Sequence, residues 1–250
     1  MKRNYRFVAT ALSVLALGTA FIAGCANPWA IKSFNSGLAK QEKGDYQGAI
    51  SDYSMAIENN PQYLDAYFNR GNSKRALKDY PGSISDYSKV LEIDPQSVNA
   101  LINRGVSKFE SADYQGAIAD QSNAIEIDPN SSLAYANRCA AKNELKDYQG
   151  SIVDCDKSLE NDPKNALAYT NRGTAKIELK DYQGASADYN KAIEINPQNG
   201  LYYSNRAISD YHLNGDLGSA CKDIKKAASL GYEYRINWLN SEEGKWCRDM

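Results

Sequence analysis

The stretch DYQGAI, residues 45 to 50, decides how this chain is read. It returns as DYPGSI at 79, DYQGAI at 113, DYQGSI at 147 and DYQGAS at 181, each copy starting 34 residues after the last. Pro61, Pro95, Pro129, Pro163 and Pro197 keep the same step. A fixed period of this length marks a repeat architecture, in which each repeat buries its apolar face against its neighbours. Length alone allows one large domain or two small ones. The net charge of −2 shows neither a nucleic-acid footprint nor an acidic tail. The single histidine, His212, leaves little room for acid–base chemistry near neutral pH.

The period and its residues resemble the tetratricopeptide repeat, whose repeat is two antiparallel helices. Counting position 1 at Ala30, Leu64, Val98, Ser132 and Ala166, the family's small-residue marks fall at three positions. They are Gly37, Gly71, Gly105 and Gly173 at position 8, Ala49 and Ala117 at position 20, and Ala56, Ala124 and Ala192 at position 27. Aspartate at position 16 is placed to cap the second helix, because its carboxylate can accept the orphan N–H groups of the first turn. Proline at position 32 ends that helix. The resemblance implies an all-α, right-handed superhelical solenoid of about six hairpins: 30–63, 64–97, 98–131, 132–165, 166–199 and 200–231. The sixth carries one extra residue before Asp216. The tail, 232–250, leaves the pattern. Ile236 and Leu239, with Tyr232 and Trp238 beside them, suit one amphipathic capping helix over the end of the last hairpin.

Residues 1–24 have another composition: three positive charges in MKRNYR, an apolar run, and small residues before Cys25. This is the pattern of an export signal. Ile22-Ala23-Gly24-Cys25 resembles the lipobox of bacterial lipoproteins, which implies that Cys25 is lipidated and becomes the first residue of the exported chain. An uncleaved membrane anchor, about 18 residues being just enough to span a bilayer, and cleavage without lipid are the alternatives. Loss of Lys2, Arg3 and Arg6 with the leader takes the net charge from −2 to −5, so no polybasic second membrane signal remains. Residues 25–29 are a short linker, which keeps the first helix within about 17 Å of the bilayer.

Inside the first helix of every repeat but the first stands Asn-Arg, at positions 6 and 7. A helical residue turns about 100°, so the two side chains point into different surroundings. The arginines Arg70, Arg104, Arg138, Arg172 and Arg206 face the packed side, where an unpaired charge is very costly. Position 23 supplies a carboxylate each time: Asp52, Asp86, Asp120, Asp154, Asp188 and Asp223. The first repeat has Ser36 in place of arginine. If pairs run to the next repeat, Asp52 meets Arg70 and Asp223 is left over; if they are internal, Asp52 is the orphan. Lys40, Lys74, Lys108, Lys142 and Lys176 at position 11 either compete for those aspartates or snorkel outwards.

The asparagines Asn35, Asn69, Asn103, Asn137, Asn171 and Asn205 lie on the arc that the resemblance turns to a concave surface. There they look like the ladder by which some members of the family hold an extended peptide through its backbone, each amide offering a donor and an acceptor. Their structural alternative is to bond the backbone of neighbouring helices. Phe34, Leu38, Phe68, Ile102, Val106, Phe109 and Tyr211 supply apolar contact around them. The family's lysine–arginine clamp for a C-terminal carboxylate is poorly matched, since position 2 holds Ile31, Asp65, Asn99 and Leu133.

Of the cysteines besides Cys25, Cys139 at position 8 and Cys155 at position 24 lie opposite each other in a hairpin that turns near position 16. Cys221 with Cys247 would staple the tail to the last hairpin. Two small reduced residues filling a core are the alternative reading of the first pair, and four exported cysteines allow three connectivities. No zinc spacing, phosphate loop, nucleophile elbow or paired catalytic carboxylates are visible, and no cofactor is expected. The expected function is therefore non-enzymatic. The chain reads as a scaffold anchored by lipid to the outer face of a bacterial membrane, binding an extended segment of an envelope protein, with self-association left open. A structural or oligomerisation module acting through stacking or a convex surface is the alternative.

Overall fold

The computed structural model describes residues 27–250, so the expected leader and the lipidation site Cys25 lie outside the described residues. The chain divides into two compact units after Pro129. The first holds α1 (Pro28–Glu42), α2 (Tyr46–Asn59), α3 (Leu64–Ala76), α4 (Tyr80–Ile93), α5 (Val98–Glu110) and α6 (Tyr114–Ile127). The second holds α7 (Ser132–Glu144), α8 (Tyr148–Asn161), α9 (Ala166–Glu178), α10 (Tyr182–Ile195), α11 (Gly200–Asn214) and α12 (Leu217–Ser229), then α13 (Glu233–Asn240) and α14 (Lys245–Asp249). Each odd-numbered helix through α11 packs on the even-numbered helix that follows it. Within a unit, the second helix of a hairpin also packs on the first helix of the next. The described chain is all-α.

The repeated DYxG fixes the hairpin turn. Asp45, Asp79, Asp113, Asp147 and Asp181 precede the second helices, and the carboxylate of each accepts the N–H of the glycine three residues on, at 2.9–3.0 Å. Glycine is needed there because a Cβ on Gly48 would stand 2.8 Å from the Asp45 Cγ. The residue before each of these aspartates, and before Asp216 in the sixth hairpin, is left-handed: Gly44, Lys78, Ala112, Lys146, Lys180 and Gly215, with φ between 63° and 78°. A side chain in that region costs at least about 1 kcal/mol, partly offset by the greater freedom of glycine in the unfolded chain. Lys146→Gly is therefore expected to raise stability by about 0.5 kcal/mol in urea unfolding.

Second helices end where proline forces it. Asn60, Asp94, Asp128, Asp162 and Asn196 each stand before a proline, which disfavours helical backbone, and adopt φ between −126° and −147°. Asn60, Asp94, Asp162 and Asn196 then accept the N–H two residues on, at 2.9–3.2 Å, which turns the chain into the next hairpin.

Each hairpin is closed by positions 8 and 24. Tyr53, Tyr87 and Tyr189 are fully buried, their rings lying where Gly37, Gly71 and Gly173 lack a side chain; a Cβ would come within 2.6–2.9 Å of the ring. In the third hairpin Gln121 replaces tyrosine and its Nε2 donates to the Ile102 carbonyl, 3.1 Å away. In the fourth, Cys139 and Cys155 occupy both positions as a disulfide, Cα to Cα 5.5 Å.

The tail differs from the single capping helix expected. It is two short helices, α13 and α14, because Ser241 adopts extended backbone (ψ 165°) and its hydroxyl accepts the Gly244 N–H at 3.3 Å. Cys247 in α14 is bonded to Cys221 in α12. These two cysteines cluster with Ala207, Ala220 and Ile224, against which Trp238 and Leu239 pack. The buried residue of α13 is one the hydrophobic pattern passed over. Arg235 is buried, its Nε donating to Ser204 Oγ at 2.8 Å, with the Tyr234 and Trp238 rings 5.2 and 5.8 Å from its guanidinium. Burial lowers its pKa, against the pull of the neighbouring tyrosines.

Candidate functional site

The two halves of the Asn-Arg dipeptide do separate. Arg104 grips Asp120 with two parallel bonds, Nε to Oδ2 at 2.9 Å and Nη2 to Oδ1 at 2.7 Å. The same fork joins Arg70 to Asp86, Arg138 to Asp154, Arg172 to Asp188 and Arg206 to Asp223. Pairing is therefore internal to each hairpin. Asp52 is the aspartate without an arginine, served instead by the Ser36 hydroxyl at 2.6 Å and Lys40 at 2.7 Å. Burial pushes the Asp52 pKa up, but the bonds from Lys40 and Ser36 outweigh it and hold the group below its ordinary value. The position-11 lysines do not snorkel away: Lys74, Lys108, Lys142 and Lys176 sit 2.7–2.9 Å from the same aspartates.

The sequence reading missed where the remaining arm of each arginine goes. Nη1 of Arg70 reaches Ser54, that of Arg104 reaches Ser88, that of Arg172 reaches Asp156 and that of Arg206 reaches Asn190. These acceptors all hold position 25 of the preceding hairpin, so one guanidinium closes its own hairpin and stitches it to the one before. Burial works against the Arg172 charge, but the Asp188 and Asp156 carboxylates more than offset it and raise its pKa. The legible signal was a polar residue always two places after the aspartate. A second stitch joins position 17 to position 13 of the next hairpin: Tyr80 to Glu110 at 3.5 Å, Tyr148 to Glu178 at 3.3 Å, and Tyr182 stacked on His212 at 4.8 Å. Burial raises the pKa of both Tyr80 and Glu110.

The expected asparagine ladder is not uniform. In the second unit Asn137 and Asn171 are buried, at 4% and 2% exposure, and cannot meet a partner in this arrangement. Asn171 Nδ2 donates to the Ala136 carbonyl at 3.3 Å, while Asn143 Nδ2 donates to the Asn171 carbonyl at 2.9 Å. The cause is bulk: α7 carries Ala136 and Ala140 and packs directly on α9, covering the amides between them. Asn205 stays half-buried. In the first unit Asn35 is exposed and Asn69 and Asn103 are half-buried. There Phe34 packs on the Tyr53 and Tyr63 rings, 5.7 and 4.9 Å away, and Phe68 packs edge-on to Tyr87 at 5.7 Å.

Ile102, Val106 and Phe109 also depart from the expectation. They are 5–8% exposed, so they belong to the core and do not line a surface; Phe109 stands edge-on to Tyr114 at 5.1 Å. Tyr211 is exposed. What the first unit presents is a polar strip along α1, α3 and α5. Asn69 Nδ2 is tied to the Asp65 carbonyl at 2.8 Å and Asn103 Nδ2 to the Asn99 carbonyl at 3.0 Å. These bonds fix each amide while leaving its oxygen and second N–H for another molecule. Arg75 is not part of this strip: six residues beyond Asn69 and so about 120° round the helix from it, it stands beside Tyr87, and its buried Nε has no partner among the described residues. Nearby Tyr87, pushed up to about 12 by burial, donates to Asn72 Oδ1 at 2.7 Å. Among the described residues no His, Cys, Asp and Glu group could hold a metal ion, and no helix is long and apolar enough to cross a membrane.

Known proteins bear on this arrangement. The family model described as tetratricopeptide repeat matches residues 64–97 and 166–199, and one described as TPR repeat matches residues 37–74. No curated protein matches the chain. Among solved structures, a crystal structure of MamA is 26% identical over 66% of this chain and 95% of its own, with a TM-score of 0.56. A tetratricopeptide repeat protein from Parabacteroides merdae is 19% identical over 88% and 93%, with a TM-score of 0.69. Pseudomonas aeruginosa pilF is 18% identical over 88% and 96%, with a TM-score of 0.67. With its 34-residue hairpins, its capping aspartates and its glycine–tyrosine closures, the chain is a tetratricopeptide-repeat protein, and its fold is that of a protein–protein interaction scaffold.

Proposed function

We propose that this protein is an exported, lipid-anchored, non-enzymatic scaffold that holds an extended segment of an envelope protein along α1, α3 and α5. Asn35, Asn69 and Asn103 read the segment's backbone. The observation that carries the reading is the pair Asn69 and Asn103: each amide is held in place by its own helix, and its remaining oxygen and N–H suit the donors and acceptors of a peptide backbone. Cys25 supplies the anchor through lipidation at the motif Ile22-Ala23-Gly24-Cys25, on the extracytoplasmic face of a membrane. The two disulfides suit an oxidising compartment.

Replacing Asn35, Asn69 and Asn103 together by alanine is expected to reduce recovery of the partner from crosslinked cells at least ten-fold, with the helical circular-dichroism signal unchanged. Undiminished recovery with unchanged folding contradicts the strip. Labelled acyl precursor entering the wild type but not Cys25→Ser tests the anchor separately.

A further inference from the structure

α1 has a face that no hairpin covers. Position 3 is fully buried at Ala66, Ala100 and Ala168, and position 10 at Ser73, Ser107 and Ser209; these small residues lie against the hairpin before, as the Ser73 hydroxyl does when it donates to Gln41 of α1 at 3.0 Å. In α1 the same positions are Lys32 and Ala39, both exposed. Trp29, Lys32, Ser36, Ala39 and Lys43 follow the spacing of a single helix face, with Glu42 at its edge. Trp29 is 67% exposed, and Lys32 Nζ lies 5.5 Å from its ring centroid.

From this face we infer that α1 rests on the membrane surface, with Trp29 in the interface and Lys32 and Lys43 against anionic headgroups. The inference depends on the lipid-anchor reading. Trp29 follows Cys25 by four residues, so a lipidated cysteine holds the ring within about 14 Å of the bilayer. Tryptophan favours that depth, its ring apolar and its N–H wet. Each lysine near an anionic surface strengthens the contact by about five-fold. A second copy of the chain is the poorer occupant: stacking another hairpin here would bury Lys32 where every covered hairpin of the first unit has alanine. Contact along this face would hold the first unit at a set angle to the membrane.

The test uses the full chain, purified from membranes and returned to vesicles of phosphatidylethanolamine and phosphatidylglycerol, some with brominated acyl chains. Flotation with the vesicles reads the anchor, and tryptophan quenching reads this face. In Trp238→Phe/Trp246→Phe, emission from Trp29 is expected to fall at least two-fold on brominated lipid. In Lys32→Glu/Lys43→Glu most of that quenching is expected to vanish while the chain still floats. Trp29→Phe, which leaves the tail intact, should lose the quenched component altogether. A chain that floats but keeps Trp29 unquenched overturns the inference and leaves the anchor standing, as does shielding from acrylamide without quenching, the mark of a protein contact. A chain that does not float overturns both.

Discussion

Asp120→Ala is expected to destabilise the protein by about 3 kcal/mol, the low end of the range for removing one partner of a buried ion pair. The carboxylate is 2% exposed and holds two cations: the fork of Arg104 and, at 2.9 Å, Lys108. Alanine leaves both charges facing a site that excludes water. The low end applies because their side chains keep about a fifth of their exposure and can regain some hydration. Asp52→Ala should cost about 1 kcal/mol, a single hydrogen bond and a half-exposed lysine being at stake. Urea midpoints of the two variants check this directly. Equal losses would show that the arginine fork adds nothing to the lysine contact.

The fourth hairpin should behave in an unusual way under reduction. Its disulfide joins positions 8 and 24, which in the first, second and fifth hairpins hold glycine and a tyrosine ring. Cys155→Ser is expected to lose about 3 kcal/mol, the value for a closed loop of roughly this length, and to leave a void where the ring would stand. The double variant Cys139→Gly/Cys155→Tyr rebuilds the closure seen at Gly173 and Tyr189. It should stay within about 1 kcal/mol of the oxidised wild type, as a volume-conserving core exchange does, and become indifferent to dithiothreitol. Thermal melts of both variants with and without reductant give the answer. A double variant as unstable as Cys155→Ser would mean that the covalent link, not the filled volume, holds this hairpin.

The hairpins were legible because the same local physics is written five times: an acid to cap, a glycine to make room for it, and a proline to stop the helix. The split of Asn171 from Arg172 followed from the turn per residue, and the aspartate partners from the cost of a buried charge. Whether the pair lay within a hairpin or between two was not legible. The pair lies within the hairpin, and the third arm of the arginine reaches position 25 of the hairpin before. The surface residues were the harder part. Exposure at position 6 depends on how closely neighbouring first helices approach, which Phe34 and Phe68 set on one side and Ala136 and Ala140 on the other. That is a property of pairs of helices, and a pattern along one helix cannot carry it. Ile102 and Phe109 were misplaced for the same reason. Arg75 and Arg235 escaped notice because each occurs once, and a period hides what does not repeat.

The central claim, that the protein works by holding another chain on the polar strip of α1, α3 and α5, is tested most directly by a photo-crosslinking residue placed at Asp65, exposed on α3, in intact cells. Val153 on α8, 60% exposed, serves as the control position. The account predicts a discrete adduct from Asp65 that is absent from Val153 and is lost when Asn35, Asn69 and Asn103 are alanine. The same adduct from both positions, or one from Asp65 that survives the three substitutions, would contradict it.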